Sequence, residues 1–286
     1  MNFDCPDLPT VREPVSHSRH GMWHRCQAQY FFRYIMGMVQ PPSAALIRGS
    51  AIDNAGNVTL ERKLEEDSSW ENVKDVTDLA VADFEQRATE VDWHHGRDGQ
   101  YRDLVDSISS GTAIAHKDLW TPAEPAGVQE MIRYDAPVGN EHAHVYGFND
   151  WRSTDDHVHD LKVISRSWMK GRELTEMQAP LYTGQLFIEQ PELLNAQFSY
   201  DLLVLTPKGR NSRVETRTLR VSRKDAEFAW REIVKTQVQV STSENEMHSQ
   251  PPEEVFSTNR QGMLCSKRHC GYWKECQAMY GGNVRD

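Results

Sequence analysis

Apolar and polar positions follow two different periods along this chain, and the change between them divides it. Up to about residue 120 the period is helical. Trp23, Tyr30, Phe31, Tyr34 and Ile35 share a face of residues 21–38, predicting an aromatic-rich helix. Ser16 or Ser18 can cap it and Pro41-Pro42 ends it. Residues 43–66 read as a second helix, with Gly49 and Gly56 as points of close packing. A third covers 71–92, with Val76, Leu79, Ala80, Phe84 and Ala88 on one face, and a fourth covers 100–120. The period then becomes two. Residues 127–135, 143–150 and 157–164 alternate as strands do. A helical run follows Pro180, then strands at 197–206 and 213–221 joined by a turn at 208–211. A helix at 224–240, a linker-like stretch SENEMHSQPPEE and a cysteine-containing tail complete the chain. This order predicts a mixed α/β core behind a helical N-terminal region.

Composition narrows the class. The 286 residues are 38% hydrophobic and 26% charged, which suits a globular protein. No run reaches the roughly 18 apolar residues of a membrane span. The start, MNFDCPDLPTVREP, has neither a basic nor an apolar signal region, so a cytoplasmic location is expected. A net charge of −10 counts against a protein that coats DNA non-specifically. It is compatible with an enzyme whose carboxylates hold metal.

Candidate chemistry lies in residues 147–162, GFNDWRSTDDHVHDLK. Asp160 and Lys162 are two apart on a predicted strand and so share a face. Asp150 lies on the neighbouring strand and Glu130 on the one before it. Carboxylates so arranged, with the Leu161 carbonyl as a further oxygen, suit Mg²⁺ or Mn²⁺. Lys162 would stabilise an attacking hydroxide or the transition-state charge of a phosphodiester. An Asp-x-Lys triplet alone is a weak signal, because acidic residues are common at strand ends. Asp155 and Asp156 fit the intervening turn, and His157 and His159 read as strand residues. Arg48, Ser165, Arg166, Trp168 and Lys170 offer cations, a hydroxyl and an aromatic for DNA phosphates and bases. The alternative is a solvated loop with one buried Trp. Arg19, His20, His24 and Arg25 form either a DNA-facing edge or a solvated helix face.

The five cysteines are clustered at the ends: Cys5 and Cys26, then Cys265, Cys270 and Cys276. In a cytoplasmic chain such clusters more often bind metal than form disulfides. Three close cysteines plus a distant one supply the four thiolates of a [4Fe–4S] cluster. A structural Zn²⁺ on the same thiolates, or with His269 replacing one, is the alternative, and free buried thiols are the third reading. Cys26 is favoured over Cys5 because it sits in an ordered helix.

Taken in order, these motifs resemble the PD-(D/E)XK nuclease superfamily, in its RecB-like and CRISPR-associated exonuclease branch. The resemblance covers roughly residues 16–280 and rests on Gly147/Asp150, Asp160-Leu161-Lys162 and the split cysteines. It implies a restriction-endonuclease-like mixed β-sheet core flanked by helices, with a helical N-terminal region and an Fe–S tail. The expected segments are 1–125, 126–245 and 246–286, all in one compact unit. The branch carries Gln-x-x-x-Tyr on the helix after the third strand. Gln185 is matched to that glutamine, which with the tyrosine touches DNA or the metal site. Glu189 stands at the tyrosine position, and Tyr182, one turn earlier, is the expected partial substitute in contacting DNA. An upstream Gly-x-x-x-His helix corresponds to Gly49 and Asp53, aspartate replacing histidine. Asp53 is then a metal ligand, or alternatively a helix-surface residue. The gap of four residues between Cys265 and Cys270 exceeds the commonest spacing, while the gap of five to Cys276 matches.

The implied function is a metal-dependent DNA nuclease, an exonuclease acting on single strands or free ends in recombination, repair or replication. A bacterium or phage-infected host is the implied setting. A helicase or recombinase would be encoded separately, and ring-forming enzymes with this core make a homo-oligomer a further expectation. The rival reading is a catalytically weak DNA-binding accessory protein with the same fold.

Overall fold

In the computed structural model, which describes residues 14–91, 93, 97–206 and 211–285, the first helix breaks where its periodicity predicts continuity. Ser16 caps α1 (His17–Arg25) by accepting the Arg19 N–H at 3.2 Å. Cys26 then adopts extended backbone, at φ −168° and ψ 112°. The chain resumes as α2 (Gln27–Tyr30) and a π-helical turn (Phe31–Ile35). The cause is tertiary. Ser257 approaches the break, accepting the Ala28 N–H at 3.1 Å and donating its own to Gln27 Oε1 at 3.0 Å. The rival cysteine, Cys5, lies outside the described residues, as does most of the expected turn at 208–211.

Helices α3 (Ala44–Leu64), α4 (Val73–Arg87) and α5 (Arg97–Ala115) match the predicted periods within a few residues. They bury Ile47, Ile52, Leu60, Val76, Phe84 and Ile108 in a common core with Leu203 and Leu205. A Cβ on Gly56 would lie 2.6 Å from the Trp120 ring, so glycine is required there for close packing. Gly49 is less constrained, its added Cβ meeting only Val163 at 3.7 Å.

The alternating segments form β1 (Pro125–Val138), β2 (Glu141–Ser153) and β3 (Val158–Ile164). Next come α6 (Gln178–Tyr182), α7 (Gly184–Glu189), β4 (Asn195–Val204) and β5 (Arg213–Ser222). The five strands lie in chain order in one sheet. β2–β3 and β4–β5 are antiparallel, whereas β3–β4 is parallel because the loop and helices between them cross over. The fold is therefore α/β, a mixed sheet flanked by helices, as expected.

The chain ends with α8 (Arg223–Glu246), α9 (Pro252–Val255) and α10 (Trp273–Tyr280). Part of the linker-like stretch is thus helical. Two compact units result. One, formed by 41–132 and 148–226, carries α3–α7, β3–β5 and the parts of β1 and β2 outside 133–147. The other collects the described residues up to 40, then 133–147 and 227 onward. Its core joins Trp23, Tyr30, Phe31 and Phe32 to Phe256 and Tyr272. Among the described residues no helix is long and apolar enough to cross a membrane.

Candidate functional site

The last antiparallel rungs between β2 and β3 are Arg152–Val158 and Trp151–His159. Beyond them the strands part, and the next residues on each side are Asp150 and Asp160. Where the ladder has ended, Asp150 Oδ2 accepts the Leu161 N–H at 2.6 Å. The N–H and C=O of one strand residue leave the same edge, so the Leu161 carbonyl also faces this gap. Asp160 is 2% exposed and lies opposite Tyr200 in the parallel β3–β4 register. Lys162, on the same face, brings Nζ to 2.6 Å from Asp160 Oδ2. That ion pair lacks hydrogen-bond geometry, leaving Oδ2 buried without a hydrogen bond.

Asp53 reaches the same site from α3. Burial pushes its carboxyl up to about 6, with the charge of Asp160 adding to the effect. Asp150 is raised well above its ordinary value by burial, then by Asp160 and Asp53. Asp160 is raised by burial, against the pull of Lys162. Burial disfavours the Lys162 ammonium, but Asp160 and Asp150 reverse this and hold it charged. Three carboxylates thus face one ammonium in a poorly hydrated place, a surplus of negative charge that is costly without a cation. Among the described residues, no three His, Cys, Asp or Glu side chains are grouped so as to hold one metal ion. Each carboxylate faces its own partner: Asn57 at 3.4 Å for Asp53, Leu161 for Asp150, Lys162 for Asp160.

The glutamine in this site is Gln178 rather than the expected Gln185. Its side-chain amide donates to Asp160 Oδ1 at 2.5 Å. The first turn of α6 is anchored by Tyr200, whose buried hydroxyl accepts the otherwise unpaired Ala179 N–H at 3.2 Å. Pro180 lacks an N–H and sits in that first turn, where none is needed. Four residues after Gln178, Tyr182 lies in the field of the same charges. Its phenol is pushed up to about 12 by burial and Asp160, with Lys162 opposing. Gln178 and Tyr182 stand in Gln-x-x-x-Tyr spacing, which is legible in the sequence. Gln185, on α7, donates instead to Glu189 at 2.6 Å.

Other expected residues are used differently. Glu130 receives both Arg152 Nε at 2.9 Å and Nη2 at 2.8 Å. This forked pair engages both of its oxygens and keeps it from the aspartates. Trp168 is 9% exposed, with its ring 4.9 Å from that of Tyr200 and under the Arg172 guanidinium at 4.6 Å. Its faces are occupied rather than open to a base. Arg48 is largely buried, and burial weakens its hold on its proton. Ser165, Arg166 and Lys170 are exposed. His159 stacks on Trp151 at 3.8 Å and bonds Asp201 at 2.9 Å, so it braces the last rung.

In the other unit, Cys26, Cys265, Cys270 and Cys276 line one cavity of about 170 Å³. Phe32 and Tyr272 are among the other residues of its wall. The Cys276 thiol is pushed up to about 11 by burial, with Cys26, Cys270 and Cys265 adding to the effect and Arg260 opposing it. The Gln29 amide lies 3.2 Å from Cys270 Sγ. The break at Cys26 takes that residue out of regular helix, and its side chain lines the same cavity as the three cysteines of the tail.

No protein-family model matches this chain. No curated protein matches it in sequence. In fold it is similar to the crystal structure of a candidate exonuclease from Eubacterium rectale. That likeness has a TM-score of 0.53 at 13% identity and covers 93% of this chain and 92% of the other. At this identity what the two chains share is the fold.

Proposed function

We propose that this protein is a divalent-metal-dependent deoxyribonuclease that degrades DNA from ends or as single strands. The observation that carries this reading is the gathering of Asp53, Asp150 and Lys162 about the buried Asp160 and Gln178. The full-length likeness to a candidate exonuclease supports it.

The residues fit a hard cation. Oxygen ligands, surplus negative charge and the orphaned Asp160 Oδ2 are what Mg²⁺ or Mn²⁺ would satisfy. Asp53, Asp150, Asp160 and the Leu161 carbonyl would hold it. The bound metal would polarise the phosphoryl group and acidify a water. Gln178 fixes one oxygen of Asp160, and the other, which now faces Lys162, would turn to the cation. Lys162 stays charged and can offset the negative charge that grows on the phosphate. Tyr182 stays protonated and can donate a hydrogen bond. Without the cation, the same carboxylates would repel a DNA phosphate.

The four thiols fit a [4Fe–4S] cluster with a structural role, tying the N-terminal helix to the tail. The cavity of about 170 Å³ that they line with other residues has room for such a cluster. A single Zn²⁺ on the same thiolates is the alternative.

The test is degradation of end-labelled DNA with Mn²⁺. Wild type should cut, and Asp160→Ala and Lys162→Ala should each lose at least about 100-fold in rate. Cleavage undiminished in both would reject the site. Metal-dependent binding of DNA without cleavage would favour an accessory protein instead.

A further inference from the structure

The segment that leaves β3 after Lys162 presents apolar side chains to solvent from a rigid base. Trp168 is the base, held between Tyr200 and Arg172. Tyr200 in turn lies opposite Asp160. Ser167 on the near side donates to Glu215 at 2.7 Å and accepts from Arg213 at 2.7 Å. Beyond Trp168, Met169 to Arg172 form a closed turn, with the Arg172 N–H donating to the Met169 carbonyl at 3.1 Å. Gly171, at φ 87° and ψ −2°, supplies the left-handed third position that makes it type II. On the far side, Arg172 pairs with Glu176 at 2.9 Å and Thr175 donates to the Arg172 carbonyl at 2.8 Å.

The tip of this braced turn is Met169, 83% exposed, and one turn on is Leu174, 75% exposed. Scattered exposed apolar residues are ordinary on protein surfaces. These differ in two respects: their backbone is fixed from beneath, and they begin seven residues after the lysine of the candidate site. Arg166 and Lys170 flank Met169, and among the described residues neither is held in an ion pair. Two side chains are too little apolar area for a stable protein interface, which takes about 800 Å² from each partner. Apolar side chains between paired cations suit nucleic acid, where Met and Leu insert at base steps while Arg and Lys hold phosphates.

We propose that the Met169 turn is a strand-separating wedge for DNA ends. Met169, backed by Leu174, stacks against the terminal base pair and opens it. Lys170 and Arg166 hold the phosphates of the strand that passes to Asp150, Asp160 and Lys162. This deepens the nuclease reading and rests on it for the fate of the strand, but not for the opening of the pair.

The experiment compares wild type, Met169→Ala, Met169→Leu and the double variant Met169→Ser/Leu174→Ser. The probe is a blunt duplex with 2-aminopurine in its terminal pair, bound in Ca²⁺, with cleavage then measured in Mn²⁺. A second substrate carries an unpaired tail. Wild type should raise the fluorescence, and Met169→Ala and the double variant should abolish most of the rise. Their cleavage of the blunt end should fall about tenfold, while the tailed end is cut within about twofold of wild type. Met169→Leu should restore blunt-end cleavage. Equal losses on both substrates, or none on either, overturn the wedge and leave the nuclease reading standing. A Met169-dependent rise without any cleavage upholds the wedge and removes the nuclease reading. A wild type that neither unstacks the end nor cuts it overturns both.

Discussion

The side-chain amide of Gln178 donates to Asp160 across 2.5 Å, and through this bond a helix after the third strand governs a carboxylate within it. One Asp160 oxygen is thereby fixed and the other faces Lys162. Gln178→Ala should leave Asp160 buried without its donor, costing about 1–3 kcal/mol of stability. It should also reduce Mn²⁺-dependent cleavage at least about tenfold. Gln185→Ala should change neither by much. Thermal unfolding and cleavage rates of the two variants, measured side by side, check the assignment. Equal effects would reject it.

Metal should stabilise the fold through the same carboxylates. Saturation to about 100 times the dissociation constant contributes about 2.7 kcal/mol. Melting of wild type should therefore rise by several degrees with Mn²⁺. The Asp150→Asn/Asp160→Asn variant should show no such rise. Calorimetry with and without metal decides both points.

The four-thiol cavity predicts that anaerobically purified protein binds iron and sulfide and shows the broad visible absorbance of a cluster. Cys26→Ser, Cys265→Ser, Cys270→Ser and Cys276→Ser should each lower iron content, whereas Cys5→Ser should not. Zinc as the native metal would appear as one zinc per chain with no visible absorbance.

Acid should weaken the unit that carries His20. Burial, and then the neighbouring His24 and His17, lower its pKa from 6.5 to about 4. The Thr236 hydroxyl donates to the Glu232 carbonyl, so it accepts from both His20 and His24. Between pH 6.5 and about 4 the unfolded chain binds this proton more readily than the folded one. The contribution is therefore complete above 6.5 and declines as pH falls toward 4. Urea unfolding across this range should show a shallower decline in His20→Gln than in wild type.

Packing at Gly56 gives a test independent of function. A Cβ would lie 2.6 Å from Trp120, and the buried ring has no room to move. Gly56→Ala should cost about 1–3 kcal/mol, despite the better helix propensity of alanine. Gly49→Ala should be near neutral or stabilising. Denaturant midpoints of the two distinguish them.

The sequence by itself determined most of the elements, because helical and strand periods survive in the placement of apolar residues. It also determined the Asp160–Lys162 face, since alternation along a strand is a local property, and it marked four cysteines for one site. Tertiary structure decided the rest. Gln178 and Gln185 both lie on short helices after β3, and only the crossover to β4 places one of them on Asp160. Glu130 alternates correctly with its neighbours, yet Arg152 on the adjacent strand takes both its oxygens. Trp168 is open by sequence to either a base or the core, and Tyr200, distant in sequence, decides for the core while Met169 stays exposed. The helix break at Cys26 comes from Ser257, more than two hundred residues away. In each case the deciding partner is remote along the chain, and local periodicity carries no record of which distant group a polar atom or ring will meet.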